Sequence, residues 1–326
     1  MHARKETIFL KIGNVLIRRS DTSTILATLI LLIVFASVNP SFLSKMNIFN
    51  VTRTASLYFF VGLGQAFCQI QGGINLSLAS TGTLSVVCFG ILVQEMHVNT
   101  LVASILVLCV GIVCGLLNGM IITRLKLPAF VVTLSTGFIY EGLVTGFSRG
   151  VSYTDIPESF SWLGRGKIGA LPYLFFLMIL VMFMLLYLFR YTVVGRQILA
   201  TGSNENAARL SGIKTTNIVL LCNALSGMLA SISALLWISR LGNASCTLGS
   251  DWQMISFAGA ILGGTGAGGF SPVGLGFAAL LYTMIMNGLV MAHVDVYYQN
   301  CFLGAIILFA ICFESFRKSY VARHRI

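Results

Sequence analysis

The chain is poor in charge. Asp, Glu, Lys and Arg make up 10% of its 326 residues, against roughly 25% in an ordinary soluble domain. With 56% apolar residues and a mean hydropathy of +0.89, that scarcity excludes a soluble globular protein. Acids are the scarcer sign, 10 against 21 basic residues, and Glu141 is the one acid well inside an apolar run. The four histidines, His2, His97, His293 and His324, are scattered, and the eight cysteines form no C-x-x-C pair. A metal centre, a catalytic relay and a membrane-embedded enzyme are set aside on those grounds. The glycine-rich run 263–269 lacks the lysine of a phosphate loop and follows no strand. The chain is therefore expected to bind no nucleotide or other cofactor of its own.

What the chain has is long apolar runs. A helical crossing takes roughly 20 apolar residues. The runs predict ten spans, at 22–39, 55–71, 75–94, 101–122, 128–146, 171–189, 217–239, 252–264, 273–293 and 298–314. The expected fold is all-α: one polytopic transmembrane domain over 1–326. Spans 1–5 begin on one side and spans 6–10 on the other, the arrangement of a 5+5 inverted-topology repeat. The basic start followed by an apolar run mimics a signal peptide. The run is long and no small-x-small site follows, so it reads as an uncleaved first span.

Basic residues sit where spans end, with Arg4, Lys5, Lys11, Arg18 and Arg19 before the first and Arg317, Lys318, Arg323 and Arg325 after the last. Cytoplasmic loops collect such residues. Both termini are thus expected in the cytoplasm, and the net charge of +11 needs no nucleic acid to explain it. Aromatic residues near span ends, among them Tyr58, Phe59, Phe60, Trp162, Trp237 and Trp252, are expected to form interfacial belts. The outer stretch 147–170 should hold a short interfacial helix and turns.

Between spans 6 and 7 lies a polar island at 190–216. Ser203 or Asn204 can cap a short helix there, Glu205 suits its positive first turn, and Gly212 offers the stop. Glu205 and Arg209 stand four apart on one face. Such a two-turn helix, with a small Ala207/Ala208/Leu210 face, is suited to a groove in another protein; the alternative is an interfacial helix lying on the inner leaflet. Gly195 and Gly202 are expected to set the turns that present it.

The island also carries a family resemblance. Thr192, Gly195-Arg196, Ala200-Thr201-Gly202, Asn204-Glu205 and the run from Ala207 to Ile213 resemble the cytoplasmic loop of ribose-type bacterial ABC sugar permeases. Gly72-Gly73-Ile74-Asn75-Leu76-Ser77, Gly115-Leu116-Leu117-Asn118-Gly119, the run from Leu127 to Leu134 and Leu262-Gly263-Gly264-Thr265 fit the same family in order. The resemblance implies a permease subunit in the bacterial inner membrane. Its partners would be a cytoplasmic ATPase that binds the ATP, an extracytoplasmic solute-binding protein, and a second permease copy or homologue. It implies that Gly195, Arg196, Gly202, Asn204, Glu205, Ala208, Arg209 and Gly212 couple the chain to the ATPase. An ion-coupled secondary transporter is the alternative, and Glu141 its only candidate coupling acid.

Paired glycine breaks in the two halves of a transporter point to the path. Gly72, Gly73, Asn75 and Ser77 in one half, and Gly263, Gly264 and Thr265 in the other, are the candidate path residues. Two readings of 72–77 stand: a helix break lining the path, or close helix packing with Asn75 and Ser77 capping span 3. Most relatives carry aspartate where this chain has Asn75. Glu141 likewise reads as a coupling or substrate group, or as a side chain snorkelling to the interface. The 263–269 run reads as a tight turn between spans.

Overall fold

A computed structural model describes residues 20–295 and, beyond them, 298, 301, 302, 304, 305 and 308. The tenth span and the basic clusters at both termini lie outside the described residues or nearly so. The described chain is mostly helical. It runs α1 (Ser20–Val38), α2 (Lys45–Ile70), α3 (Leu78–Gly90, extended by a π-helical turn over Ile91–Glu95), α4 (Thr100–Leu125) and α5 (Ala129–Ser148). After a short α6 (Trp162–Arg165) come α7 (Tyr173–Tyr191), α8 (Val193–Ser203), α9 (Glu205–Leu210), α10 (Thr215–Leu241), α11 (Trp252–Leu262) and α12 (Pro272–Met291). Among the described residues six helical segments are long and apolar enough to cross a membrane: Leu78–Glu95, Thr100–Leu125, Ala129–Ser148, Tyr173–Tyr191, Thr215–Leu241 and Pro272–Met291.

Helix ends follow local chemistry. Ser44 accepts from Asn47 N–H to start α2, Asn99 from Leu101 N–H to start α4, and Ser271 from Gly274 N–H ahead of Pro272 in α12. These side chains satisfy amides that the first turn leaves free. α2 corrects one expectation. Lys45 and Arg53, which fall between the spans expected at 22–39 and 55–71 and so in a loop, belong to its first turns. Arg53 is held locally, donating to Asn50 at 3.0 Å and lying 5.0 Å over the Phe49 ring, so the helix tolerates a polar beginning that hydropathy reads as loop.

α10 is the central element. It packs on α2, α3 and α4. The α4 contact is close because glycines face each other: a Cβ on Gly111 would strike the Gly227 carbonyl, and one on Gly227 the Gly111 carbonyl. Small residues that let backbones approach are the main attraction between helices in lipid, where apolar burial drives little. Two apolar cores result. One lies among α3, α4 and α10 (Val86, Phe89, Val107, Ala234), the other among α2, α7, α10 and α12 (Phe59, Leu63, Leu174, Leu275).

The 147–170 stretch holds the expected short helices, at Glu158–Ser161 and Trp162–Arg165, and 167–172 adds a two-strand hairpin pairing Lys167–Ile168 with Leu171–Pro172. The aromatic belts need correcting. Trp162 is exposed, but Phe59, Phe60 and Trp252 are buried. Helix ends placed by hydropathy say nothing about which way a ring faces.

Candidate functional site

The island is two helices rather than one. Thr192 caps α8 by accepting from Gly195 N–H at 3.1 Å, and Ile198 anchors the helix, fully buried. Asn204 ends α8 and starts α9. Its N–H reaches the Ala200 carbonyl at 3.1 Å, and its Oδ1 accepts from Ala207 N–H at 3.0 Å. Gly212 stops α9 at φ +85°, with its N–H on the Arg209 carbonyl and Ile213 N–H on that of Ala208. This paired C-terminal closure needs a left-handed residue, for which glycine is suited.

Gly195 and Gly202 do not set turns; both lie inside α8. Their role is close approach. A Cβ at Gly195 would strike the Leu188 carbonyl, and one at Gly202 would strike the Ile70 carbonyl and Gly268 N. Gly268 N–H itself donates to the Ile70 carbonyl at 2.9 Å. α8, the end of α2 and the turn between α11 and α12 therefore meet at one point. The structure thus brings Gly202 to the run that holds Gly263, Gly264 and Thr265. That run is a tight turn, with Gly264 and Gly268 at positive φ and Gly266 bridging to Gly269.

On α9 only Ala208 is buried. Arg196, Asn204, Glu205, Arg209 and Gly212 are exposed. Arg209 donates to Asn206 at 3.3 Å rather than pairing with Glu205. Leu210 stands out at 90% exposure. It is an apolar side chain held clear of its own fold, with the charged Glu205 and Arg209 on the same short helix.

The 72–77 break lies elsewhere. Gly72 turns the chain at φ +89°. Asn75, 2% exposed, donates to Ser226 of α10 at 2.8 Å and accepts from Ser77 N–H and Oγ; Asn118 of α4 donates to Ser77. Thr133 of α5 binds Leu76 N–H and the Ile74 carbonyl. Neither side chain caps α3; Ser77 makes no cap bond. The side chains stand in for the hydrogen bonds the broken helix gives up, as buried backbone at membrane depth requires.

A cavity of about 430 Å³ opens at the end of α10 away from the island, lined by Tyr58, Trp237, Asn243, Asp251 and Trp252 among others. The Tyr58 and Trp237 ring centroids are 5.4 Å apart, and those of Trp237 and Trp252 6.3 Å apart. Trp237 Nε1 and Asn243 Oδ1 are buried without a hydrogen-bond partner among the described residues. Arg240 lies 5.1 Å over the Trp237 ring. Asp251 faces the cavity; the limited solvation of that recess raises its carboxyl pKa, and the contact with Tyr58 offsets part of the rise. A second cavity of about 450 Å³, across the 246–253 stretch, is lined by Thr83, Gln253 and the exposed Glu141.

Residues 47–311 match the family model described as "Branched-chain amino acid transport system / permease component". The chain belongs to this permease family. The ribose import permease protein of Escherichia coli K12 is 30% identical over 305 residues, covering 90% of the chain and 94% of that protein. The Bacillus subtilis 168 ribose import permease is 32% identical over 294 residues, 89% and 91% of the two chains. The galactose/methyl galactoside import permease of E. coli K12 is 29% identical over 314 residues, 89% and 92% of the two. No solved structure matches.

The permease is thus a multi-pass membrane protein, and both the island and the far cavity lie inside the matched region. The sequence located the polar island and its caps and put Ala207, Ala208 and Leu210 on one small face; the structure splits that face, burying Ala208 and leaving Ala207 and Leu210 exposed. The cavity carried no signal in the sequence, since Tyr58, Trp237 and Asp251 come from three separate elements.

Proposed function

We propose that this permease is the membrane-spanning subunit of an ATP-binding-cassette importer for a sugar, in a bacterial inner membrane. The observation that carries the proposal is the two-helix island, anchored by Ile198 and offering Leu210, Glu205 and Arg209 outward. A cytoplasmic ATPase grips α9, with ATP bound in that partner. When the ATPase closes, α8 passes the displacement through Gly202 to the end of α2 and to the α11–α12 turn, the point where the three meet. Helices on either side of that point then rock, and access to the path alternates. A self-sufficient ion-coupled carrier has no use for such a handle. The ribose and galactose import permeases among the relatives support a sugar as cargo, with an extracytoplasmic binding protein delivering it.

Ten crossings with both termini in the cytoplasm agree with the basic residues at the chain ends. A 5+5 inverted repeat is supported by matched partners. α2 is followed by a non-helical stretch and the short α3, and α10 by a non-helical stretch and the short α11. α10 packs on α3 and α4 as α2 packs on α11 and α12. A second permease copy covers α5, where Glu141 is exposed on an apolar helix, a position costly against lipid.

Glu205→Arg is expected to abolish ATP-dependent uptake while the protein still inserts in the membrane. Normal uptake by this variant would reject the docking role.

A further inference from the structure

We infer that the permease itself carries a recognition site for a neutral monosaccharide in the far cavity, formed by Tyr58, Trp237 and Trp252 with Asn243 and Asp251. The inference rests on the import reading above and deepens it. Delivery by a binding protein requires no selectivity in the membrane subunit, whereas this cavity is built to select.

The volume of about 430 Å³ falls within the roughly 300–1,000 Å³ of small-molecule sites. Its walls combine two kinds of group. Aromatic residues from three helices line it: Tyr58 from α2 and Trp237 from α10, both half-buried, offer ring surface for the C–H side of a sugar, and the buried Trp252 from α11 lies beside Trp237. Beside them stand polar atoms that the fold leaves unused. Trp237 Nε1–H is a donor and Asn243 Oδ1 an acceptor, both buried and without partners among the described residues, and Asp251 presents a carboxylate to the same space. A buried polar atom without a partner is costly unless a ligand completes it. Hydroxyl groups, each able to donate and accept, complete the first two and can also donate to Asp251 beside its contact with Tyr58.

Charge selects against ionic ligands. Asp251 and the negative faces of the rings disfavour an anion. Arg240, over the Trp237 ring, and Arg53, close enough to Arg240 for the two to repel, disfavour a cation. A neutral polyhydroxylated solute meets neither penalty.

The test uses the full permease with its ATPase and binding protein in proteoliposomes. D-Ribose and D-galactose serve as probes, with L-leucine and ribose 5-phosphate as counter-probes. Trp237→Phe keeps an aromatic ring and removes the donor; Asn243→Ala and Asp251→Ala remove the acceptors. Each should raise the KM for sugar uptake roughly fivefold, the loss expected for one hydrogen bond, while ATP hydrolysis stimulated by the loaded binding protein stays at the wild-type level. The permease without its binding protein should show saturable tryptophan quenching by ribose or galactose, weakened in the three variants. Quenching by leucine or ribose 5-phosphate in preference to the sugars would overturn the site, as would unchanged KM in all three variants. Loss of stimulated ATP hydrolysis in all three would assign these residues to coupling and overturn it too. Sugar uptake that needs no ATP would sink the importer reading instead, an outcome read from wild-type protein alone.

Discussion

At Gly202 the α8 backbone lies against the Ile70 carbonyl and Gly268 N with no room for a methyl group. Gly202→Ala forces the three segments apart, an overpacking that costs about 1–3 kcal/mol. ATP-driven uptake should fall more than tenfold while ATPase binding through Leu210 persists; uptake within twofold of wild type would show that the contact transmits nothing. Asp251 makes a second residue-scale prediction. Its recess holds the carboxyl pKa above the ordinary range. The groups facing it are the Tyr58 and Tyr282 hydroxyls, with Arg240 beside Tyr58. The ionised carboxylate is the stronger acceptor for sugar hydroxyls, and protonation turns one of its oxygens into a donor. Acidification therefore weakens sugar uptake at pH values where open carboxylates are still charged, and the loss reverses as pH rises through the raised pKa. KM measured against external pH should show this rise toward acid in the wild type and not in Asp251→Asn.

At the scale of elements, α9 is too short to be stable alone. Six residues cannot offset helix nucleation, so the helix depends on its ends: Asn204 at the start and the Gly212 closure at the finish. A β-branched residue at φ +85° is strained by about 1–3 kcal/mol. Gly212→Val should release the last turn and lower the affinity of the permease for its ATPase about tenfold, measured by co-purification at graded ATPase concentrations. Undiminished affinity would place the docking contact outside α9. The 72–77 break shows the opposite economy. It has no regular hydrogen bonding, and Asn75 and Ser77 of the break hold it together with Asn118 of α4, Thr133 of α5 and Ser226 of α10.

For the whole molecule, the exposed face of α5 carries Glu141 together with Gly142 and Gly146, and a methyl group added to either glycine would meet no other atom of the chain. Small residues four apart on an exposed apolar helix suit close packing on another helix. Gly142→Leu is expected to shift the purified permease from a pair to single copies, read by light scattering in detergent. A pair that survives would move the subunit contact to another face. Most of the fold was legible in the apolar runs. Nine expected spans correspond to helices, among them 101–122 to α4 and 217–239 to α10, because apolar runs of that length have few other uses. The start of α2 was not legible, since hydropathy registers the charge of Lys45 and Arg53 but not the Asn50 and Phe49 contacts that hold Arg53 on the helix. Gly195 and Gly202 looked like turn formers, and only their neighbours reveal a packing role.

Sequence by itself determined the membrane-embedded helical class, the order of the helices, the short island helix with its cap narrowed to Ser203 or Asn204 and its stop at Gly212, and the family. Each of these is local, written in run length or in the side chain that closes a helix end. Tertiary structure alone decided that Gly202 meets Ile70 and Gly268, that Asn75 is tied to Ser226, and that Tyr58, Trp237 and Asp251 share one cavity. The physical reason is the solvent. In water, apolar periodicity tells the buried face of a helix from the open one; in a bilayer both faces are apolar, so the pattern that would announce which residues meet is absent.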